Sequence, residues 1–161
     1  MIKKFNLLFL TFFKIGKIKY APGTLASLFT CALFFLMVNF LNYSVLFLIT
    51  LVIFFYSFVA INNSFDEFKS EDPQEIVIDE VVGQILVLLA IPIYETLYPL
   101  PIIYYCFSSF LLFRLFDIWK PYPISYVDNN IKGSLGIMLD DILAGFYSII
   151  ILCVMFFFLG G

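Results

Sequence analysis

The sequence contains no histidine, only three cysteines and few charges: 13% of its 161 residues are Asp, Glu, Lys or Arg. That charged share is about half the usual one for a soluble domain. With no imidazole, histidine is excluded as base, nucleophile or metal ligand. Cys31, Cys106 and Cys153 lie inside apolar runs, their number is odd, and no Cys-x-x-Cys occurs. Neither a disulfide framework nor a zinc site follows, and buried apolar packing accounts for the thiols. The formal net charge of −3 offers nothing to nucleic acid as a partner.

What the chain has instead is apolar surface. Hydrophobic residues make up 63% of it and aromatics 20%, with 22 Phe. A soluble domain of this size could not bury so much, because surface-to-volume scaling leaves too large a fraction exposed. The same hydrophobicity excludes disorder. Residues 1–161 are long enough for a single domain, here read as membrane-embedded.

Residues 1–20 carry a short apolar run, Phe5 to Phe13, flanked by Lys3, Lys4, Lys14, Lys17 and Lys19. A bilayer span takes about 20 helical residues, so this run is too short. No small-residue cleavage site follows it, which disfavours a signal peptide. An interfacial segment with lysines against anionic headgroups fits better. Longer uncharged runs follow at Leu25–Leu41, Tyr43–Ile61, Val81–Tyr94, Ile102–Phe113 and Ile142–Leu159. Polar stretches separate them at Asn62–Glu80 and Asp117–Asp141. Strand alternation is absent, and backbone satisfaction in lipid leaves only helices. The expectation is an all-α, polytopic membrane helical bundle of about five segments, the third one short.

Threading five spans from a cytoplasmic N-terminus puts all nine Lys and Arg on the cytoplasmic side. That obeys the positive-inside rule. Among the acids only Glu95 falls outside. A four-span version with 81–94 re-entrant puts the 114–141 loop outside, against the rule. The polar loops therefore gather on one face, and charges gathered at a membrane boundary are a functional-site hypothesis.

Four groups on that face carry chemistry. Asp79 and Glu80 stand where an apolar run begins. They are either helix-capping charges or oxygen ligands for a hard cation. Arg114, Asp117 and Lys120 are spaced to share one helix face. They are either interfacial flanks or a phosphate-capturing pair with an acid between. Asp140 and Asp141 follow a glycine-bearing stretch, Gly133 to Gly136, at the start of the last span. Adjacent helical residues point about 100° apart, so two such carboxylates face one ion only if the helix start is irregular. Asp128 is a weaker candidate that turn chemistry explains. In Ala21-Pro22-Gly23-Thr24, Thr24 reads as an N-cap after a sharp glycine start, and such a helix start also suits an anion.

Carboxylates for a divalent cation, cations for a phosphate and a helix start for an anion together describe phosphoryl-transfer chemistry. Histidine phosphatases are excluded by composition. A Cys-x5-Arg loop is absent, since Cys106 and Arg114 are too far apart. The Asp-x-Asp-x-Thr loop and the alcohol-phosphotransferase acid pattern are absent as well. A metal-assisted hydrolase with acidic ligands survives.

The segments Ala21–Leu28, Ile76–Gly83, Phe113–Ile124 and Gly136–Gly145 resemble, in order and spacing, the bacterial phosphatidylglycerophosphatase A family. The match covers roughly residues 20–150. Arg-x-x-Asp-x-x-Lys-Pro and Gly-Ile-Met-x-Asp-Asp-x-x-Ala-Gly are specific in combination. The resemblance implies an inner-membrane, Mg²⁺-dependent phosphatase that converts phosphatidylglycerophosphate to phosphatidylglycerol, with its active face cytoplasmic. It implies a functional group of Asp79, Glu80, Asp117, Asp140 and Asp141. Asp79, Glu80, Asp140 and Asp141 would hold Mg²⁺, and Arg114, Lys120, Gly23 and Thr24 would take the phosphate. Asp117 is left with three roles: orienting Arg114, joining the metal, or acting as base. The substrate partner would be a phospholipid in the bilayer. One departure is the absence of histidine from the polar loop before Asp79. Two alternatives stand beside this expectation: a phosphatase for another lipid phosphate, such as phosphatidic acid, and a non-enzymatic channel or assembly component.

Overall fold

The computed structural model describes residues 2–68 and 73–161. Lys69, Glu71 and Asp72 of the polar stretch lie outside the described residues. Eight α-helices form among the described residues, with no strand: α1 (Ile2–Leu10), α2 (Pro22–Met37), α3 (Tyr43–Ser64), α4 (Ile78–Leu89), α5 (Ile91–Leu97), α6 (Ile102–Trp119), α7 (Ile124–Asn130) and α8 (Gly133–Gly160). The chain is an all-α membrane bundle, as its composition predicts.

Three stretches are long and apolar enough to cross a bilayer as single runs: α3 with the turn after it, α6 and α8. A fourth is made by α4 and α5 together, Ile78–Leu97. Its break falls at Ala90, two residues before Pro92, which has no N–H to continue the helix. The third span is therefore longer than Val81–Tyr94. The α2 helix has 16 residues, about 24 Å, and is short of the roughly 30 Å hydrocarbon core. The outer faces are lipid-like: Phe40, Val52, Phe107 and Phe158 are all strongly exposed. An apolar surface of that extent on a soluble monomer would be an aggregation hazard.

Other boundaries differ from the sequence expectation for local reasons. The fourth span runs on past Phe113 to Trp119, carrying Arg114 and Asp117 into the helix. It ends where Lys120 adopts a left-handed conformation, φ 45°, immediately before Pro121. Lys120 thus caps the helix and does not continue its face. The last span starts at Gly133, so Gly133–Gly136 form its first turn and not a loop. Thr24 is not an N-cap either. Ala21 holds that position at φ 45°, and Pro22 occupies the first helical position, where its missing N–H costs nothing. Asn42 does cap α3, its side chain accepting from the Val45 N–H at 3.0 Å.

Two apolar clusters hold the bundle. One lies toward the α5–α6 turn, around Tyr94, Tyr105 and Phe156. There the Tyr105 hydroxyl donates to the Tyr98 carbonyl and accepts from the Leu100 N–H, satisfying turn groups that lipid could not. The other lies near the polar end, around Ile61, Val77 and Met138.

Helices α4 and α8 cross closely through two glycines. A Cβ on Gly83 would lie 2.7 Å from the Phe113 ring and 2.9 Å from the Asp141 carbonyl oxygen. A Cβ on Gly145 would lie 3.2 Å from the Gly83 carbonyl oxygen. Small residues at a membrane helix interface allow this approach, and dispersion between close backbones stabilises it. Gly83→Val is expected to lower the apparent melting temperature of the purified protein in detergent by several degrees, an overpacking cost of about 1–3 kcal/mol. An unchanged melting temperature would contradict the crossing.

Candidate active site

The crossing fixes what lies one helical turn above it. Asp79 precedes Gly83 by four positions and Asp141 precedes Gly145 by four. Residues four apart share a helix face, so both carboxylates rise from the two facing surfaces on the same side of the contact. Glu80 follows Asp79 in the first turn of α4. One oxygen each from Asp79, Glu80 and Asp141 lies within 4.8 Å of the others. Asp140 does not join this trio. It points away to Lys120, whose Nζ donates to Asp140 Oδ2 at 2.7 Å. Asp140 and Asp141, adjacent in α8, thus serve different partners, while the adjacent Asp79 and Glu80 converge from the first turn of α4.

Asp79 and Glu80 are half-buried and Asp141 is buried. Asp141 is 3% exposed. Asp79 Oδ1, Glu80 Oε2 and Asp141 Oδ1 are each buried with no hydrogen-bond partner. Buried carboxylate oxygens without donors are costly unless a cation meets them. Three convergent hard oxygen donors, with no histidine or cysteine among them, suit Mg²⁺ or a similar ion.

Around the trio lies a cavity of about 400 Å³. Five carboxylates line it (Asp79, Glu80, Asp117, Asp140 and Asp141) against three cations, Lys19, Arg114 and Lys120. On formal charges the lining carries two more acids than cations, an excess a divalent ion would offset. Four segments that are distant in sequence meet here: the start of α2, the start of α4, the end of α6 and the first turns of α8. All are at the same end of the bundle, while Glu95 lies on α5 beyond the α4 break.

Arg114 is held between two acids. It pairs with Asp117 three positions on, and its Nη1 lies 3.9 Å from Glu80 Oε1. Its Nε is buried and has no hydrogen-bond partner. Lys120 bridges two carboxylates, reaching Asp128 Oδ1 at 2.6 Å and Asp140 Oδ2 at 2.7 Å. Burial opposes its charge, but these two acids outweigh it and hold the ammonium above its ordinary range. Its left-handed backbone is uncommon for a side chain of this size. Ala21, also left-handed, lines the same cavity. Such backbone outliers cost about 1–3 kcal/mol each and cluster at functional sites.

Gly23 makes room for the pair above it. A Cβ there would collide with the Glu80 carboxylate and sit 3.3 Å from Arg114 Nη1. The first-turn N–H groups of Gly23 and Thr24 precede the first helical bond, which Leu25 donates to Ala21. They are open donors at a helix N-terminus.

All nine residues singled out from sequence lie at this site, but in two subsets. Asp79, Glu80, Asp141, Arg114, Asp117, Gly23 and Thr24 form one side. Lys120 and Asp140 form the other, with Asp128. Sequence reasoning discounted Asp128, which belongs to α7 and not to a turn. It also passed over Lys19, which lines the cavity, and Gln84, which is fully buried beneath Glu80 with neither amide atom partnered. The visible signal for Gln84 was a lone amide, four positions after Glu80, in an otherwise apolar run.

Comparison with known proteins agrees with the geometry. A family model described as Phosphatidylglycerophosphatase A matches residues 8–156. A Bacteroides thetaiotaomicron protein named "Putative phosphatidylinositol-3-phosphatase" is 38% identical over 151 residues, covering 89% of each chain. The "Phosphatidylglycerophosphatase A" of Haemophilus influenzae is 34% identical, covering 86% of this chain and 81% of its own. That of Escherichia coli is 31% identical, covering 84% and 74%. No solved structure matches the chain. On the extent of the family match and the identity to these relatives, the chain belongs to the phosphatidylglycerophosphatase A family.

Proposed function

We propose that this protein hydrolyses the terminal phosphomonoester of phosphatidylglycerophosphate, at the cytoplasmic surface of a bacterial inner membrane, with Mg²⁺ held by Asp79, Glu80 and Asp141. The observation that carries the reading is the trio of buried, donorless carboxylate oxygens beside Arg114 and Lys120 in one cavity. A bound divalent ion supplies Lewis-acid polarisation of a phosphoryl oxygen.

The protein's own residues do the rest. Arg114 offers its unpartnered donors to the phosphate, and Asp117 fixes the plane of the guanidinium. Lys120, pinned by Asp128 and Asp140, adds a fixed positive charge. The Gly23 and Thr24 N–H groups face developing negative charge at the α2 terminus. Water adds at phosphorus, the ester P–O bond breaks, and the released glycerol oxygen ends as a hydroxyl. The products are phosphatidylglycerol and inorganic phosphate. The cytoplasmic placement rests on the positive-inside rule, with Arg114, Lys120 and Lys132 all at the site end.

A second substrate reading has one observation behind it. The Bacteroides relative carries the name of a phosphatidylinositol-3-phosphatase. A panel of phosphatidylglycerophosphate, phosphatidylinositol 3-phosphate and phosphatidic acid separates these.

Purified protein in detergent with Mg²⁺ is expected to release inorganic phosphate from phosphatidylglycerophosphate, and EDTA to stop the release. No release with any divalent metal would overturn the enzyme reading. Asp79→Asn is expected to lower turnover by about two orders of magnitude or more, with the melting temperature retained. Near-normal activity would remove Asp79 from the site. Gly23→Ala is expected to displace Glu80 and Arg114 and lower kcat roughly tenfold, because small misplacements at a reacting centre are costly. Wild-type kinetics in that variant would contradict the packing of α2 against Glu80.

A further inference from the structure

The two helices that frame the phosphate side of the cavity continue toward the membrane interior as the walls of a groove. At the polar end, α2 contributes Gly23 and Thr24, and α6 contributes Arg114. One turn farther along each helix the lining becomes hydrocarbon: Leu28 follows Thr24 by four positions, and Phe110 precedes Arg114 by four. From there a groove of about 410 Å³ runs between the helices, past Ala32 and Phe35 on α2 and Phe107 on α6. It reaches Leu36 on one side and Ile103 on the other. Leu28 to Leu36 spans about 12 Å at the helical rise.

The groove exists because of local side-chain size. Ala32 is exposed and lies between the larger Leu28 and Leu36, each one turn away on the same face. Its small side chain leaves space that a larger residue would fill. Beneath it the helices are in contact, with the Cys31 thiol 3.8 Å from the Cys106 carbonyl oxygen. A second apolar groove, lined by Phe13, Ile18 and Leu25, shares Leu28 and Ala32 with the first. Two grooves therefore meet on one helix whose N-terminus opens onto the polar cavity.

We propose that the α2–α6 groove takes one acyl chain of the lipid whose phosphate the cavity holds, and that the adjoining groove takes the other. The occupant is a diacyl phospholipid monoester, bound with its headgroup in the polar cavity. This deepens the phosphatase reading and rests on it. The lining changes from ionic to hydrocarbon within one turn on both helices, which matches the polarity profile of such a lipid. Chain contacts would hold the headgroup at a fixed depth and lower KM for long-chain substrates.

The test uses the full-length protein and two variants. Ala32→Trp fills the groove from an exposed position. Val52→Trp, on the exposed face of α3, is the control. Ala32→Trp is expected to raise KM for dioleoyl phosphatidylglycerophosphate about tenfold, with kinetics on the dihexanoyl lipid within about twofold of wild type and Val52→Trp unaffected on both. Equal kinetics in all three proteins, or an equal loss on both chain lengths, would overturn the groove assignment. Photolabelling with a diazirine placed in the acyl chain of phosphatidylglycerophosphate reads the groove without turnover. Labelling is expected on α2 and α6 peptides and to be displaced by unlabelled phosphatidylglycerophosphate but not by phosphatidylcholine. Labelling spread evenly over all lipid-facing helices would overturn the proposal. Displaceable groove labelling with no phosphate release would retain the lipid site and discard the phosphatase reading.

Discussion

The contact on which the site depends is the close approach of α4 and α8 at Gly83 and Gly145. Neither glycine has chemistry of its own. Their missing side chains bring two helix backbones together, and the carboxylates one turn above are carried in with them. Once Asp79, Glu80 and Asp141 stand within 4.8 Å of one another, their repulsion and desolvation are relieved by a proton or a cation. Packing energy from the apolar spans thus holds together a group that would otherwise spread apart. Phe113 reinforces the arrangement by filling the space beside Gly83, and the next residue along α6 is Arg114. One contact places both the carboxylate trio and Arg114.

The division of labour between neighbouring acids follows from the same geometry. Asp140 and Asp141 are adjacent in sequence and serve different partners. Asp141 faces α4, while Asp140 faces Lys120 and through it Asp128. Both lie inside α8, which starts at Gly133, and the Asp140 carboxylate is taken up by Lys120, whereas the adjacent Asp79 and Glu80 in the first turn of α4 both reach the trio. Of the four acids that the sequence expectation gives to the metal, three converge, and Asp140 is engaged in an ion-pair bridge. That bridge holds the segment between α6 and α8 against the cavity, and Lys120 stays charged within it.

Much of this is legible in sequence, and the rest is not for identifiable reasons. Long uncharged runs specify membrane helices because lipid leaves the backbone no other solution. The candidate residues are legible because charged residues are few and fall into four groups. Helix ends are harder to place. Arg114, Asp117, Asp140 and Asp141 read as loop or boundary charges, yet each lies inside a helix, since charge neutralisation within the site offsets the cost of placing them there. The cap of α2 is misplaced by sequence because a left-handed Ala21 is rare and Thr is a common cap. The role of Asp128 depends on the backbone turn at Lys120, which no local pattern around Asp128 announces.

On the proposed reading Asp79, Glu80 and Asp141, and not Asp140, hold a divalent cation. Electron paramagnetic resonance of Mn²⁺ titrated into the purified protein measures this without turnover. A saturable site is expected in the wild-type protein, retained in Asp140→Asn and lost in Asp141→Asn. Equal Mn²⁺ binding in Asp141→Asn and wild type would contradict it.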